Sequence, residues 1–317
     1  MSFLIELAAP DISAYAAGNT GISFVTSFDS GVAGPHVMVN AVTHGNELCG
    51  AITLDYLFRH DLRPTRGRLT LGFANVEAFL SFNPSRPTAS RYVHEDFNRL
   101  WSPKVLDGPR QSAELTRARE YRPFIDTVDF LLDLHSMQQP SPPLMLSGPL
   151  EKGIGIAGGV GVPAHVVADS GHAAGRRLRD YGDFSNPASP RNALLVECGQ
   201  HWRKSSADVS LETTLRFLRH LDVIDAKFAA DHGAGGAPAP QKFIEVTEAV
   251  TAKSTDFHFV RPFNGMETIA EAGTVIAHDG GTAVRAPYDN CVLIMPSLRL
   301  YPGQTAVRLG RFIDAPG

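Results

Sequence analysis

Three short apolar runs, each ending on an ionisable side chain, constrain this chain more than any other feature. Val37-Met38-Val39-Asn40-Ala41-Val42 is followed by His44 and Glu47, Phe130-Leu131-Leu132-Asp133-Leu134 by His135, and Ala193-Leu194-Leu195-Val196 by Glu197. Runs of this length, alternating with helix-like stretches, read as buried parallel strands. In an open α/β sheet the ligand crevice lies beyond the carboxyl ends of the strands, so all four polar residues are predicted to meet in one crevice. Two imidazoles and a carboxylate are a ligand set used for catalytic zinc, with one position left open for water. A further carboxylate nearby can carry the protons of a hydrolysis. The expectation is a zinc-dependent hydrolase.

The rhythm around those runs sets the fold class. Leu48, Ile52, Leu54, Leu57 and Phe58 approximate a helical stripe within 47–62. A strand is expected at 69–76, a charged helix at 112–124, a strand at 128–135, shorter strands at 143–147 and 164–168, a strand at 192–197 and a helix from about 208 to 228. This alternation predicts an α/β fold, a mixed but mostly parallel sheet with helices on both faces. Residues 231–240 are mostly Gly, Ala and Pro with no apolar period, and read as linker. Short β-type runs follow at 243–250, 257–260, 274–277, 291–295 and 306–312. The predicted division is a catalytic domain at 1–230, a linker at 231–241 and a small all-β domain at 242–317.

Composition narrows the class. The 317 residues suffice for one large domain and a smaller one, and 43% hydrophobic with 20% charged content is that of an ordinary globular protein. A net charge of −4 gives no basic footprint for nucleic acid. No apolar stretch is long enough for a membrane span, and the opening Met1-Ser2-Phe3-Leu4-Ile5-Glu6 lacks the layout of a secretory signal. Cys49, Cys198 and Cys291 are odd in number and far apart, which argues against a disulfide framework and for buried thiols in a reducing cytoplasm.

Each motif also has a plainer reading. His44-Gly45-Asn46-Glu47 is a weak string among 12 His and 33 acidic residues, and alone it reads more readily as a surface turn with Glu47 on a helix dipole. Its place at a strand-to-helix junction, with Gly45 allowing a tight turn, strengthens it. Asp133 and His135 share a strand face, either as metal ligand and orienting acid or as a buried pair without metal. Arg91-Tyr92-Val93-His94-Glu95-Asp96-Phe97-Asn98-Arg99 can grip a carboxylate and polarise a carbonyl, or be a solvated loop. Glu197 is a half-buried general base with a raised pKa, or a strand-end ion pair.

Taken in order, Thr43-His44-Gly45-Asn46-Glu47, Arg91-Tyr92 with Asp96-Phe97-Asn98-Arg99, Asp133-Leu134-His135 and Val196-Glu197-Cys198-Gly199 resemble the succinylglutamate desuccinylase/aspartoacylase family of the zinc carboxypeptidase-like superfamily. The motifs span roughly 36–200, and the later β region resembles that family's C-terminal domain without an equally sharp motif. The resemblance implies one zinc per chain held by His44, Glu47 and His135. It implies Glu197 as the base that activates water, Arg91 as the arginine polarising the scissile carbonyl, and Asn98 and Arg99 as the grip on a substrate carboxylate. The implied substrate is a small N-acylated amino acid or related amide, and self-association is left open. A further arginine could be Arg176, Arg177, Arg179 or Arg191, and a C-terminal tyrosine Tyr288 or Tyr301. A carboxypeptidase or esterase on a small substrate, and an inactive small-molecule binding module, are the alternatives.

Overall fold

The computed structural model of the chain describes residues 4–171, 174–297 and 300–315. The apolar runs form the middle of one large sheet. Its first strands are β1 (Val25–Asp29), β2 (His36–Ala41), β3 (Arg68–Phe73), β4 (Phe130–Met137), β5 (Leu144–Leu146), β6 (His165–Ala168) and β7 (Asn192–Gln200). The central order β3-β2-β4-β7 is parallel throughout, and every residue of β2 is buried. Strands covered on both faces carry such continuous apolar runs. At the margins β1 runs antiparallel to β3, and β5 antiparallel to β7.

The helices are α1 (Leu48–Arg59), α2 (Val76–Leu80), α3 (Pro103–Leu106), α4 (Ala113–Ile125), α5 (Glu151–Val160), α6 (Lys204–His220) and α7 (Ala226–Ala229). Val37, Val39 and Ala41 share a core cluster with Leu54 and Leu57 of α1 and Leu215 and Leu218 of α6. Met38, between them in sequence, joins Leu115, Ala118 and Tyr121 of α4 instead. Successive strand residues point to opposite faces, so this split places helices on both.

Some boundaries differ from expectation. The strand expected to reach Val76 stops at Phe73, because the chain turns into α2, with Asn75 at its N-cap position and Val76 its first residue. The helix expected at 208–228 is two helices. α6 begins at Lys204 and ends at His220, Asp222 takes a left-handed φ of 57°, and Asp225 caps α7 by accepting from the amides of Lys227 and Phe228. Strand β1, only five residues long, and α5, whose Gly153, Gly155, Gly158 and Gly159 are poor helix formers, were not anticipated.

Ala230–Ala234, at the start of the expected linker, is instead a helical turn continuing α7, packed down by the buried Ala234 and a 2.7 Å hydrogen bond between His232 and Tyr56. Beyond it the described residues are all β. They form β8 (Lys242–Thr251), β9 (His258–Phe259), β10 (Glu267–Ile269), β11 (Val275–Asp279), β12 (Thr282–Arg285), β13 (Cys291–Ile294) and β14 (Thr305–Ile313). β8 pairs in parallel with β6, and β14, β13 and β10 follow, so these strands extend the main sheet to eleven. β12-β11-β9 form a separate small sheet. This continuity brings β14 within reach of the crevice.

Candidate active site

His44 lies just beyond β2, and Glu47 is the N-cap residue of α1. Between them Gly45 sits in the expected tight turn, which the Glu47 amide closes on the His44 carbonyl at 3.2 Å, and it matters for a further reason. A Cβ there would lie 2.3 Å from the Ala78 carbonyl carbon, 2.4 Å from the Phe79 nitrogen and 2.5 Å from the Ser90 oxygen. The backbone of the site is wedged against α2 and the segment before Arg91. Val42, with a φ of 54°, is a β-branched residue in the left-handed region and marks backbone strain at the same corner.

His44 Nδ1 lies 2.7 Å from one Glu47 carboxylate oxygen, and His135 Nδ1 lies 3.0 Å from the other. One donor atom from each of these buried residues falls within 4.8 Å of the others, and this is the one such His/Cys/Asp/Glu group among the described residues. Each imidazole turns its Nε2 to a second carboxylate. His44 meets Asp96 at 3.0 Å and His135 meets Asp133 at 2.8 Å. Asp133 is fixed in turn by Asn40 Nδ2 at 2.8 Å and Thr43 Oγ1 at 2.9 Å. Carboxylate-backed imidazoles converging on one carboxylate are a donor set that could hold a divalent metal ion. Asp96 stood in the motif without a role. Its signal was its spacing from Arg91, which it grips at 3.0 Å.

The register of β4 and β7 sets His135 opposite Glu197, and the ladder turns irregular immediately afterwards. Glu197 Oε2 is buried without a hydrogen-bond partner. Burial, reinforced by the charges of Glu47 and Asp133, outweighs His135 and Arg91 and pushes the Glu197 carboxyl up to about 8. Arg91 lies against the donor group, with Nη2 2.9 Å from His44 Nε2 and Nη1 3.7 Å from the Glu47 carboxylate. Asn98 Oδ1 accepts from the Leu178 amide at 2.8 Å, so Nδ2 is the atom with hydrogens to offer the cavity. The seven residues singled out in the sequence all line one cavity of about 390 Å³.

The structure also chooses among the arginines. Of Arg176, Arg177, Arg179 and Arg191, the first, third and fourth lie outside the cavity lining, and Arg177 is on it. Asp169 and Asp180 aim it, at 3.2 and 2.6 Å. Neither tyrosine lines the cavity. Tyr288 hydrogen-bonds Thr247, and Tyr301 is 70% exposed. The C-terminal strands offer Arg308 of β14 instead, buried, with Nε 3.0 Å from the same Asp169. Its signal was a charge inside the run Ala306-Val307-Arg308-Leu309. His201, also on the lining and not anticipated, has Nδ1 2.8 Å from Ser136 Oγ. Burial pushes its imidazole down to about 3, with Arg91, His44 and His135 acting in the same direction against Glu47.

Fold and donor cluster together define an α/β class with a candidate metal centre at the carboxyl ends of a mostly parallel sheet. Within that class, residues 33–221 match the Succinylglutamate desuccinylase/Aspartoacylase catalytic domain, and the chain belongs to this family. A probable aspartoacylase of Parasynechococcus marenigrum (strain WH8102) is 38% identical over 86 residues, a match spanning 26% of this chain and 26% of that one. Solved structures that share the fold include the following two. Succinylglutamate desuccinylase from Vibrio cholerae superposes with a TM-score of 0.68 at 18% identity, over 92% of this chain and 86% of the other. The product-bound ectoine utilization protein EutE (DoeB) from Ruegeria pomeroyi gives 0.65 at 15%, over 91% and 89%.

Proposed function

We propose that this chain is a zinc-dependent amidohydrolase that removes the acyl group from a small N-acylated amino acid or related amide. The observation that carries the reading is the buried His44–Glu47–His135 group with the unpartnered Glu197 Oε2 beside it. One zinc per chain, held by those three residues, would supply a Lewis acid and lower the pKa of water toward neutrality. Glu197, raised in pKa, is suited to take a proton from the attacking water and return it to the leaving amine. Arg91 stands where an oxyanion would gather charge. Asn98 and Arg99, with Arg177, hold the substrate's carboxylate and fix the scissile bond.

Pro262, Phe263 and Met295, from the C-terminal strands and their loops, wall the cavity and favour a small substrate over a long peptide. In this reading residues 1–230 carry the chemistry, 231–241 link, and 242–317 shape the entrance. No helix among the described residues is long and apolar enough to cross a membrane. The three cysteines are free and buried, which supports a cytoplasmic setting. The test is metal analysis of the purified protein with a panel of N-acylated amino acids, their ester analogues and short peptides, with and without chelator. About one zinc per chain and chelator-sensitive deacylation are expected. Turnover of esters or peptides alone would move the assignment to those substrates. Absence of metal and of turnover after zinc is restored would leave a binding module.

A further inference from the structure

Glu114, in the first turn of α4, is fully buried yet stands outside the cavity lining. An unpaired carboxylate so placed is costly unless its oxygens are satisfied, and here they are, in an unusual way. Oε1 accepts from the Val93 amide at 2.6 Å and from Asn75 Nδ2 at 3.2 Å. Oε2 accepts from the amides of His94 at 3.1 Å and Glu95 at 3.2 Å. Burial alone would raise this carboxyl. The amide of Val93, then Glu114's own amide, Asn75 and the amide of His94 outweigh it and hold the group below the usual carboxylate range.

The three amides of 93–95 are consecutive, and they occupy the middle of a bracket whose two ends both reach His44. Arg91 Nη2 lies 2.9 Å, and Asp96 Oδ1 3.0 Å, from the same His44 Nε2. The Gly45 amide ties back to the Arg91 carbonyl at 3.1 Å. The stretch has no apolar side chain other than the exposed Tyr92 and Val93. Its side chains tie to the start of α4 and the segment before it, Glu95 to Ser112 Oγ at 2.5 Å and to Arg110 at 2.8 Å and His94 Nδ1 to the Ala113 amide at 3.1 Å, but Glu114 alone gathers its backbone amides. We propose that Glu114 is a positioning residue for the reaction, its carboxylate gathering the 93–95 amides so that Arg91 and Asp96 close on His44 together. The consequence for turnover rests on the hydrolase reading, and the consequence for His44 does not.

The test compares wild type with Glu114→Gln and with Ile125→Val, a conservative trim of a buried residue at the other end of α4. Three quantities are read: amide hydrogen exchange at 93–95, zinc affinity by competition with a chelator, and kcat and KM. Gln turns an N–H₂ group toward at least one amide donor. Faster exchange at 93–95, a roughly ten-fold loss of zinc affinity and a fall in kcat of about 10–100-fold at a KM within about three-fold are expected. Ile125→Val lowers stability and leaves all three unchanged. Should the Gln variant not fold, Glu114→Asp keeps the charge but withdraws it by one methylene, and gives the same losses more mildly. Zinc affinity and kcat within two-fold of wild type, despite freed amides, would overturn the proposal, as would unaltered exchange. If wild type hydrolyses nothing, exchange and zinc affinity still decide it.

Discussion

Gly45→Ala is the sharpest single perturbation of the site, because the atom it adds has nowhere to go. The new Cβ would sit 2.3–2.5 Å from three backbone atoms, of Ala78, Phe79 and Ser90, where ordinary contact starts near 3.4 Å. About 1 Å of backbone retreat is needed on at least one side. Ala78 and Phe79 belong to α2 and are buried, and the Ser90 carbonyl directly precedes Arg91, so no flexible side chain absorbs the move. Overpacking of this kind costs about 1–3 kcal/mol, and a rigid backbone neighbour places it at the upper end. Function suffers independently, since a 1 Å misplacement of reacting groups costs about 100-fold. Urea unfolding should show a lower midpoint at unchanged slope, with weaker zinc binding and kcat/KM down by about two orders of magnitude. Gly155→Ala on α5 is the control. Nothing lies within 4 Å of its Cβ, and alanine there should stabilise the helix by about 0.5–1 kcal/mol. A Gly45→Ala protein with wild-type midpoint and zinc affinity would refute the packing argument.

Glu197→Gln should retain zinc while turnover drops by about 10²–10⁴-fold; activity within ten-fold of wild type would exclude Glu197 as the base. His135→Ala should lose most bound metal, and full occupancy by elemental analysis would remove it from the ligand set. Arg308→Met should raise KM for carboxylate-bearing substrates by about ten-fold or more with a smaller change in kcat, and an unchanged KM would show that Arg308 serves only Asp169. His201 is depressed from its ordinary value near 6.5 to about 3 mainly by burial, so its contribution to stability is present above pH ~6.5 and lost as pH falls toward 3. The loss is on the order of a few kcal/mol, and the acid limb of a stability profile should be shallower in His201→Gln.

Legibility in the sequence followed the range of the signal. His44, His135 and Glu197 could be placed because each sits at the end of a strand whose apolar run is itself readable, and parallel pairing of β2, β4 and β7 does the rest. Glu47 followed from the helix that starts after it. Arg177 could not be separated from Arg176, Arg179 and Arg191, since the choice depends on Asp169 and Asp180 pulling one guanidinium inward. Arg179 instead donates to the Ala193 and Ser147 carbonyls, and Arg191 to that of Asp126. The role of Gly45 was only half legible for a similar reason, since the expected turn is there but its packing was hidden. Local spacing suggests a turn, whereas the crowding comes from residues more than thirty positions away.

Arg308 is the extreme case, reaching the cavity only because β8 pairs with β6 and carries β14 alongside. Its arrival alters the charge balance. Arg177 and Arg308 share Asp169, while Asp180 is divided between Arg177 and Arg179. Arg99 is held below its usual range by burial, with Arg91, Arg177 and Arg308 pressing the same way and Asp96 opposing. Guanidiniums do not give up their protons in proteins, so the strain is relieved by an anion arriving rather than a proton leaving. Under the proposed function, that anion is the substrate's carboxylate. The chemistry then belongs to the strand ends of the parallel sheet, and the grip on charge is shared with a strand from the far end of the chain.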